Sequence, residues 1–214
     1  MGTVDIVTKE YMRENAIFAD AFNYLIYGGK KVIDPAGLTE IDTATSAVGK
    51  KDALQKYRDV LKAAVIKQDE KMSYVLLGVE NQTDVHYAMP VRNAIYDALQ
   101  YGKQVSDIAA GHRRSQKDYS GKTGGEYLSG FLKEDHIKPV ITLVIHFGAE
   151  EWDGPLSLHE MMSTRDMELL SFVENYRIHL IDPAKLTEEQ LDHFSTSLKE
   201  VMGYIKYSKI RNSC

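Results

Sequence analysis

Two carboxylates and an amide within the stretch Tyr57–Gln82 have the types and spacing to hold a hard cation beside a phosphodiester. The stretch reads YRDVLKAAVIKQDEKMSYVLLGVENQ, two β-leaning runs around the polar turn Lys67–Lys71. Such a run–turn–run predicts a hairpin. With the turn centred between Asp69 and Glu70, Asp59 and Glu80 stand equally far from it and face each other. Opposed residues of an antiparallel pair share a face, with Cβ atoms about 4.5–5.5 Å apart. Gln82 lies two positions beyond Glu80 and points to that same face. Like charges opposite one another destabilise a sheet unless something neutralises them, and a divalent cation taking oxygen ligands would do so. The plainer alternative is two solvated carboxylates at open strand ends, which one register slip would put on different faces.

The elements around the hairpin carry the remaining candidates. Lys9–Tyr27 has helical periodicity, with Phe18, Phe22 and Leu25 on one stripe and Gly28-Gly29 as its end. Glu14 falls within about 40° of Phe18, Ala21 and Leu25 on a helical wheel. It is therefore expected on the buried stripe, where a carboxylate needs a partner or a metal; a position near the helix start, favoured by the dipole and reached by water, is the alternative. Asp20 is expected on the solvated side. Leu38–Val48 reads as a weak strand, with Glu40 and Asp42 on one solvated face. Thr83–His86 reads as a turn, and Pro90 suits the first turn of a helix running to about Ala110. Val91, Ile95, Ala98 and Leu99 are its expected apolar face. Arg92 and Tyr96 are neighbours near its start, and Arg92 can meet a substrate phosphate or pair with Glu80 or Asp97.

Gly111–Asp135 breaks the pattern and is rich in glycine, serine and lysine. Long loops in compact domains are usually functional or disordered, so residues 111–136 are expected to form a flexible insertion. Its bases Arg113, Arg114, Lys117 and Lys122, dotted with Tyr119, Tyr127 and Phe131, could follow a nucleic-acid backbone; a merely solvated connection is the simpler reading. Ile137–Phe147 has the continuous β-branched sequence of a strand buried on both faces, with His146 expected as a satisfied core histidine. A turn at Glu150–Pro155, a short amphipathic piece at Leu158–Met162 and a strand at Tyr176–Asp182 follow. Thr187 opens a capping box, and Leu191, Phe194, Leu198, Val201 and Ile205 form the stripe of one final helix.

Composition excludes several classes. The 214 residues suffice for one domain with a real core. Cys214 is the single cysteine, so neither an internal disulfide nor a cysteine-based zinc site is available, and a reducing, cytoplasmic compartment is expected. No apolar run approaches the roughly 18 residues of a membrane span, and the amino-terminal stretch lacks the apolar core of a secretory signal. The net charge of −5 argues against a general nucleic-acid coat but leaves room for a local basic face. Phosphate-loop, dinucleotide-binding, serine-hydrolase and HExxH motifs are all missing.

Helix, strand, a hairpin bearing Asp59 and then Glu80-Asn81-Gln82, helix, buried strand, strand and helix is an order that resembles the PD-(D/E)XK nuclease superfamily. Arg58-Asp59-Val60-Leu61, Met89-Pro90-Val91-Arg92 with Tyr96, Asn15-Ala16-Ile17-Phe18 and Trp152-Asp153-Gly154-Pro155-Leu156 are similar to its recombination-promoting nuclease and transposase family in bacteria. The likeness covers roughly residues 10–207. It implies a single α/β domain over 1–214, with a restriction-endonuclease-like core: a central mixed sheet flanked by helices. It implies a DNA endonuclease using Mg²⁺ or Mn²⁺, with Asp59 and Glu80 as metal ligands. Gln82 stands where many members have lysine, and Glu14 matches the first-helix acid of some. Arg92, Arg113, Arg114 and Lys117 would bind DNA, and a homodimer would suit double-strand cutting. The alternative is a catalytically weak module of the same fold that binds nucleic acid or a partner protein.

Overall fold

The computed structural model describes residues 3–41, 44–46, 55–57, 59–68, 71–115 and 121–211. Asp42, Arg58, the turn centre Asp69-Glu70, Lys117, Tyr119 and Cys214 lie outside the described residues.

The first apolar stripe forms two helices, α1 (Thr3–Arg13) and α2 (Asn15–Tyr27), rather than one. Lys62 accounts for the break. This lysine, 1 % exposed, bonds the Arg13 carbonyl and the Asn15 Oδ1 at 2.6 Å, and its ammonium stands over the Phe18 ring. A carbonyl turned towards an ammonium is lost to the helical ladder. Burial holds the Lys62 ammonium below the usual lysine range, against the opposing pull of the Glu40 carboxylate. Gly28 ends α2 in the left-handed conformation, as the sequence predicts.

Of the two readings of Glu14, the structure shows the one at the helix start: it is exposed, at the N-cap of α2, and not on a buried stripe. Asp20, expected in solvent, is 3 % exposed. Every residue from Ile17 to Asn23 is buried, so this helix has no wet side in that stretch. The Asp20 carboxylate accepts from the backbone N–H and the hydroxyl of both Ser195 and Thr196.

The chain continues with β1 (Thr39–Glu40), β2 (Ala44–Ser46), β3 (Gln55–Tyr57), β4 (Val60–Gln68) and β5 (Lys71–Gln82). After these come α3 (Met89–Arg114), α4 (Gly124–Ser129), β6 (Val140–His146), α5 (Met167–Leu170), β7 (His179–Ile181), α6 (Glu188–Asp192) and α7 (Leu198–Arg211). The fold is α/β: a five-stranded mixed sheet ordered β1-β4-β5-β6-β7, flanked by helices. β1, β4 and β5 run antiparallel, whereas β5, β6 and β7 run parallel. The predicted strand over 38–48 is divided, β1 joining the main sheet and β2 pairing with β3 in a separate one. The hairpin has the predicted register: Gln68 pairs with Lys71 and Val60 with Val79, so Asp59 and Glu80 are next in line at its open end.

The main core lies on one face of the sheet, where Val60, Leu77, Val79, Leu143 and Ile145 meet Phe18, Phe22, Phe194, Leu198 and Met202. α3 covers the other face, turned the opposite way from the expectation. Its buried residues include Asn93, Tyr96, Asp97 and Gln100, spaced as one helical face. Val91 is 37 % exposed, Ala98 is exposed, and Ile95 and Leu99 are half-buried. Polar groups facing α3 explain the inversion: Asp97 accepts from the hydroxyl of Thr142, on β6, at 2.6 Å and from that of Tyr176, just before β7.

The described part of 111–136 is more regular than an open loop. α3 runs on to Arg114, and Thr123 and Glu126 form a capping box at the start of α4. Glu126 also accepts from the Lys133 N–H, His112 pairs with Asp135, and Leu132 is buried. At Gly130 (φ 67°) a Cβ would stand 3.1 Å from that of Ala109, so the segment lies close against α3. At the other end of the chain, the capping box at Thr187 forms, but the expected single helix is divided into α6 and α7, with the Asp20 ligands Ser195 and Thr196 between them.

Candidate active site

Where β4 and β5 open, the chain leaves the sheet through residues 83–88 and enters α3. The geometry brings three strand-end side chains under the first turn of that helix. A cavity of about 300 Å³ opens here, lined by Asp59, Gln82, Asp84, His86 and Arg92 among others.

Asp59 is half-buried, and its Oδ2 accepts from the Asn81 N–H at 2.9 Å. That bond fixes the carboxylate at the mouth of the hairpin. Glu80 has no exposed surface, and its Oε2 lies 3.1 Å from Arg92 Nη2. Among the described residues a guanidinium thus faces the buried carboxylate, the pairing read from sequence as one alternative for Arg92. Arg92 Nε donates to the Tyr96 hydroxyl at 2.9 Å, and its guanidinium stands 5.6 Å from the Tyr96 ring centroid. Burial works to lower the Arg92 pKa, but Glu80, Tyr96 and Asp59 outweigh it and raise it above the ordinary value. Burial, then the Glu80 charge, pushes the Tyr96 phenol up as well. Gln82 is half-buried and donates its amide to the Asn81 carbonyl at 2.9 Å.

The other expected site residues lie elsewhere. Glu14 is at the α1–α2 junction and is not among the described residues lining the cavity. Arg113 and Arg114 are exposed at the far end of α3, about 30 Å along the helix from Arg92 at ~1.5 Å per residue. Arg92 and that basic pair therefore cannot contact one phosphate together. Two residues read only as a turn, Asp84 and His86, line the cavity. His86 Nδ1 accepts from the Ala88 N–H at 3.3 Å. Their position just beyond a strand bearing two candidate residues was the available signal. His146 is the core histidine expected, its ring nitrogens facing the carbonyls of Gln82 and Glu150 and its ring lying edge-on to Trp152.

On the buried face of α3, Asn93 is fully buried, and neither polar atom of its amide has a hydrogen-bond partner among the described residues. Buried polar groups without partners are rare in native proteins. As a donor set for a cation, Asp59 and Glu80 offer hard anionic oxygens across two paired strands, the type Mg²⁺ and Mn²⁺ prefer. Among the described residues no group of three or more His, Cys, Asp or Glu is arranged to hold a metal ion, so further ligands would be backbone oxygens, Gln82 or water. No helix among the described residues is long and apolar enough to cross a membrane.

Compared with family models, with curated proteins and with solved structures, the chain matches none.

Proposed function

We propose that the chain is a divalent-metal-dependent DNA endonuclease of the recombination or transposition type, built on a restriction-endonuclease-like core. The observation that carries the reading is the hairpin register, which puts Asp59 and Glu80 next in line at its mouth and Gln82 one pleat further on, with Asp59 and Gln82 lining the cavity. The order of α2, the antiparallel strands β1, β4 and β5, then α3 and the parallel strand β6 also agrees with the resemblance in the sequence.

Asp59 and Glu80 would hold Mg²⁺ or Mn²⁺. Such an ion supplies a Lewis acid for the phosphoryl oxygens and lowers the pKa of a bound water. The remaining work falls to the chain. Gln82 has a donor and an acceptor with which to orient a water or a phosphate oxygen, but no charge. Arg92 is the cationic group beside the cavity with a fork suited to phosphate. The neighbouring cavity, lined by Glu150, Glu151 and Asp153, would repel a DNA backbone and leaves the Arg92 side as the approach.

Incubation of supercoiled plasmid with the protein and Mg²⁺ or Mn²⁺ tests this reading. Nicking that disappears on chelation and in Asp59→Ala is the expected result. Nicking that survives either change contradicts the site. The ion pair between Arg92 and Glu80 favours a second reading, a nuclease-fold module whose site is neutralised from within. That module would bind DNA in Ca²⁺ and cut it under no condition.

A further inference from the structure

Arg92 lines the cavity and is paired with Glu80, which is not among the lining residues. The Arg92 side chain is 32 % exposed and shares the cavity with Asp59, while the Glu80 side chain, 3.1 Å away, is 0 % exposed. A cation entering from solvent meets the Asp59 carboxylate and a guanidinium of its own sign.

Among the described residues, the Glu80 carboxylate and the Tyr96 hydroxyl one turn along the same helix hold Arg92 in place. Both are contacts that a phosphate can replace. Arginine binds phosphate with the same two-pronged geometry it uses for carboxylate, and a DNA phosphate at the cavity mouth would present oxygens to the exposed side of the guanidinium.

We propose that Arg92 is a substrate-operated shutter, closing Glu80 to metal in the free protein and opening it by passing to a DNA phosphate. The proposal rests on Asp59 and Glu80 being the metal ligands. The free protein then binds metal weakly, because only the fraction of molecules with Arg92 displaced is competent. DNA raises metal affinity, and by reciprocity metal raises DNA affinity by the same factor. Tyr96 acts as a positioning residue that holds the shutter closed.

Mn²⁺ binding to the DNA-free protein, followed by the electron paramagnetic resonance of the free ion, tests the shutter. Arg92→Gln should bind Mn²⁺ about 10–100-fold more tightly than wild type, the gain expected when a state populated at about 1–10 % becomes the only one. Tyr96→Phe keeps the ion pair and loses one anchor, so it should shift the affinity in the same direction by less. It also keeps the test valid if Arg92→Gln fails to fold around an unbalanced Glu80. In a second measurement, Ca²⁺ should tighten binding of a short DNA duplex to wild type and leave its affinity for Arg92→Gln unchanged. Equal Mn²⁺ affinities in wild type, Arg92→Gln and Tyr96→Phe, with binding lost in Asp59→Ala, would keep the metal site and remove the shutter. Absence of Mn²⁺ binding in every form, with or without DNA, would overturn the metal site and the shutter together.

Discussion

The two faces of the central sheet are built from different materials. On the α2 and α7 face, Val60, Leu77, Val79, Leu143 and Ile145 meet aromatic and aliphatic side chains in one continuous core. On the α3 face, the apolar contacts split into two smaller groups, around Met89, Val144 and Trp152 and around Leu61, Leu76 and Val140. Buried Glu80, Asn93, Asp97, Gln100 and Thr142 lie on that same face. Burying polar groups costs stability unless each is satisfied, so the α3 face is the poorer source of cohesion. What it offers instead is charge held in place under a cavity. One face thus holds the molecule together, and the other carries the proposed site.

The largest effect should come from the apolar face. Phe22→Ala removes a fully buried ring from the core and should cost about 3–5 kcal/mol in urea unfolding. Any activity per folded molecule should stay unchanged. A loss below ~1 kcal/mol would show that this face does not carry the stability assigned to it.

A smaller cost is expected across the sheet. Asp97→Ala strips the Thr142 and Tyr176 hydroxyls of their carboxylate acceptor, which should cost on the order of 2–3 kcal/mol. If it exceeded the cost of Phe22→Ala, the division of labour between the faces would be reversed.

The smallest effect concerns α4, which belongs to neither face. Hydrogen bonds from the Thr123 and Lys133 N–H groups and the Thr123 hydroxyl hold the Glu126 carboxyl down at about 2, against an ordinary value of 4.5. A carboxyl depressed in the folded state contributes stability that is complete above its ordinary value and is lost as pH falls towards its folded one. Wild type should therefore lose melting temperature between pH 4.5 and about 2 by a component that Glu126→Gln lacks. Parallel pH profiles for the two proteins would detach α4 from the stability of the domain.

Local pattern carried much of this arrangement, and long-range partners supplied the rest. The hairpin register was legible because a two-residue pleat and a polar turn fix which residues oppose. The Gly28 stop and the Thr187 capping box were legible for the same reason, since each is a contact among near neighbours. A helical wheel puts Asp20 in solvent because its partners, Ser195 and Thr196, lie beyond the reach of local pattern. The break at Glu14 depends on Lys62, which reaches across from β4. Local pattern turns α3 the other way because its wheel ranks Val91 and Ile95 above Asn93 and Asp97. The Thr142 hydroxyl and the Glu80 carboxylate on the facing sheet help make the polar side the buried one. Within the candidate site, Asp59, Glu80, Gln82 and Arg92 were named from the sequence, whereas His86 and Asp84 needed the cavity.

Asp59→Asn tests the central claim most directly, with melting temperature and single-turnover cleavage of a DNA duplex in Mn²⁺ measured on the same samples. Asparagine keeps an oxygen for the Asn81 N–H and removes one of two facing negative charges. The variant should therefore melt at or slightly above the wild-type temperature, while cleavage falls by roughly 10²-fold or more, the scale of losing a positioned catalytic group. Cleavage within about twofold of wild type, well short of that scale, would contradict the assignment of the α3 face as the site of chemistry.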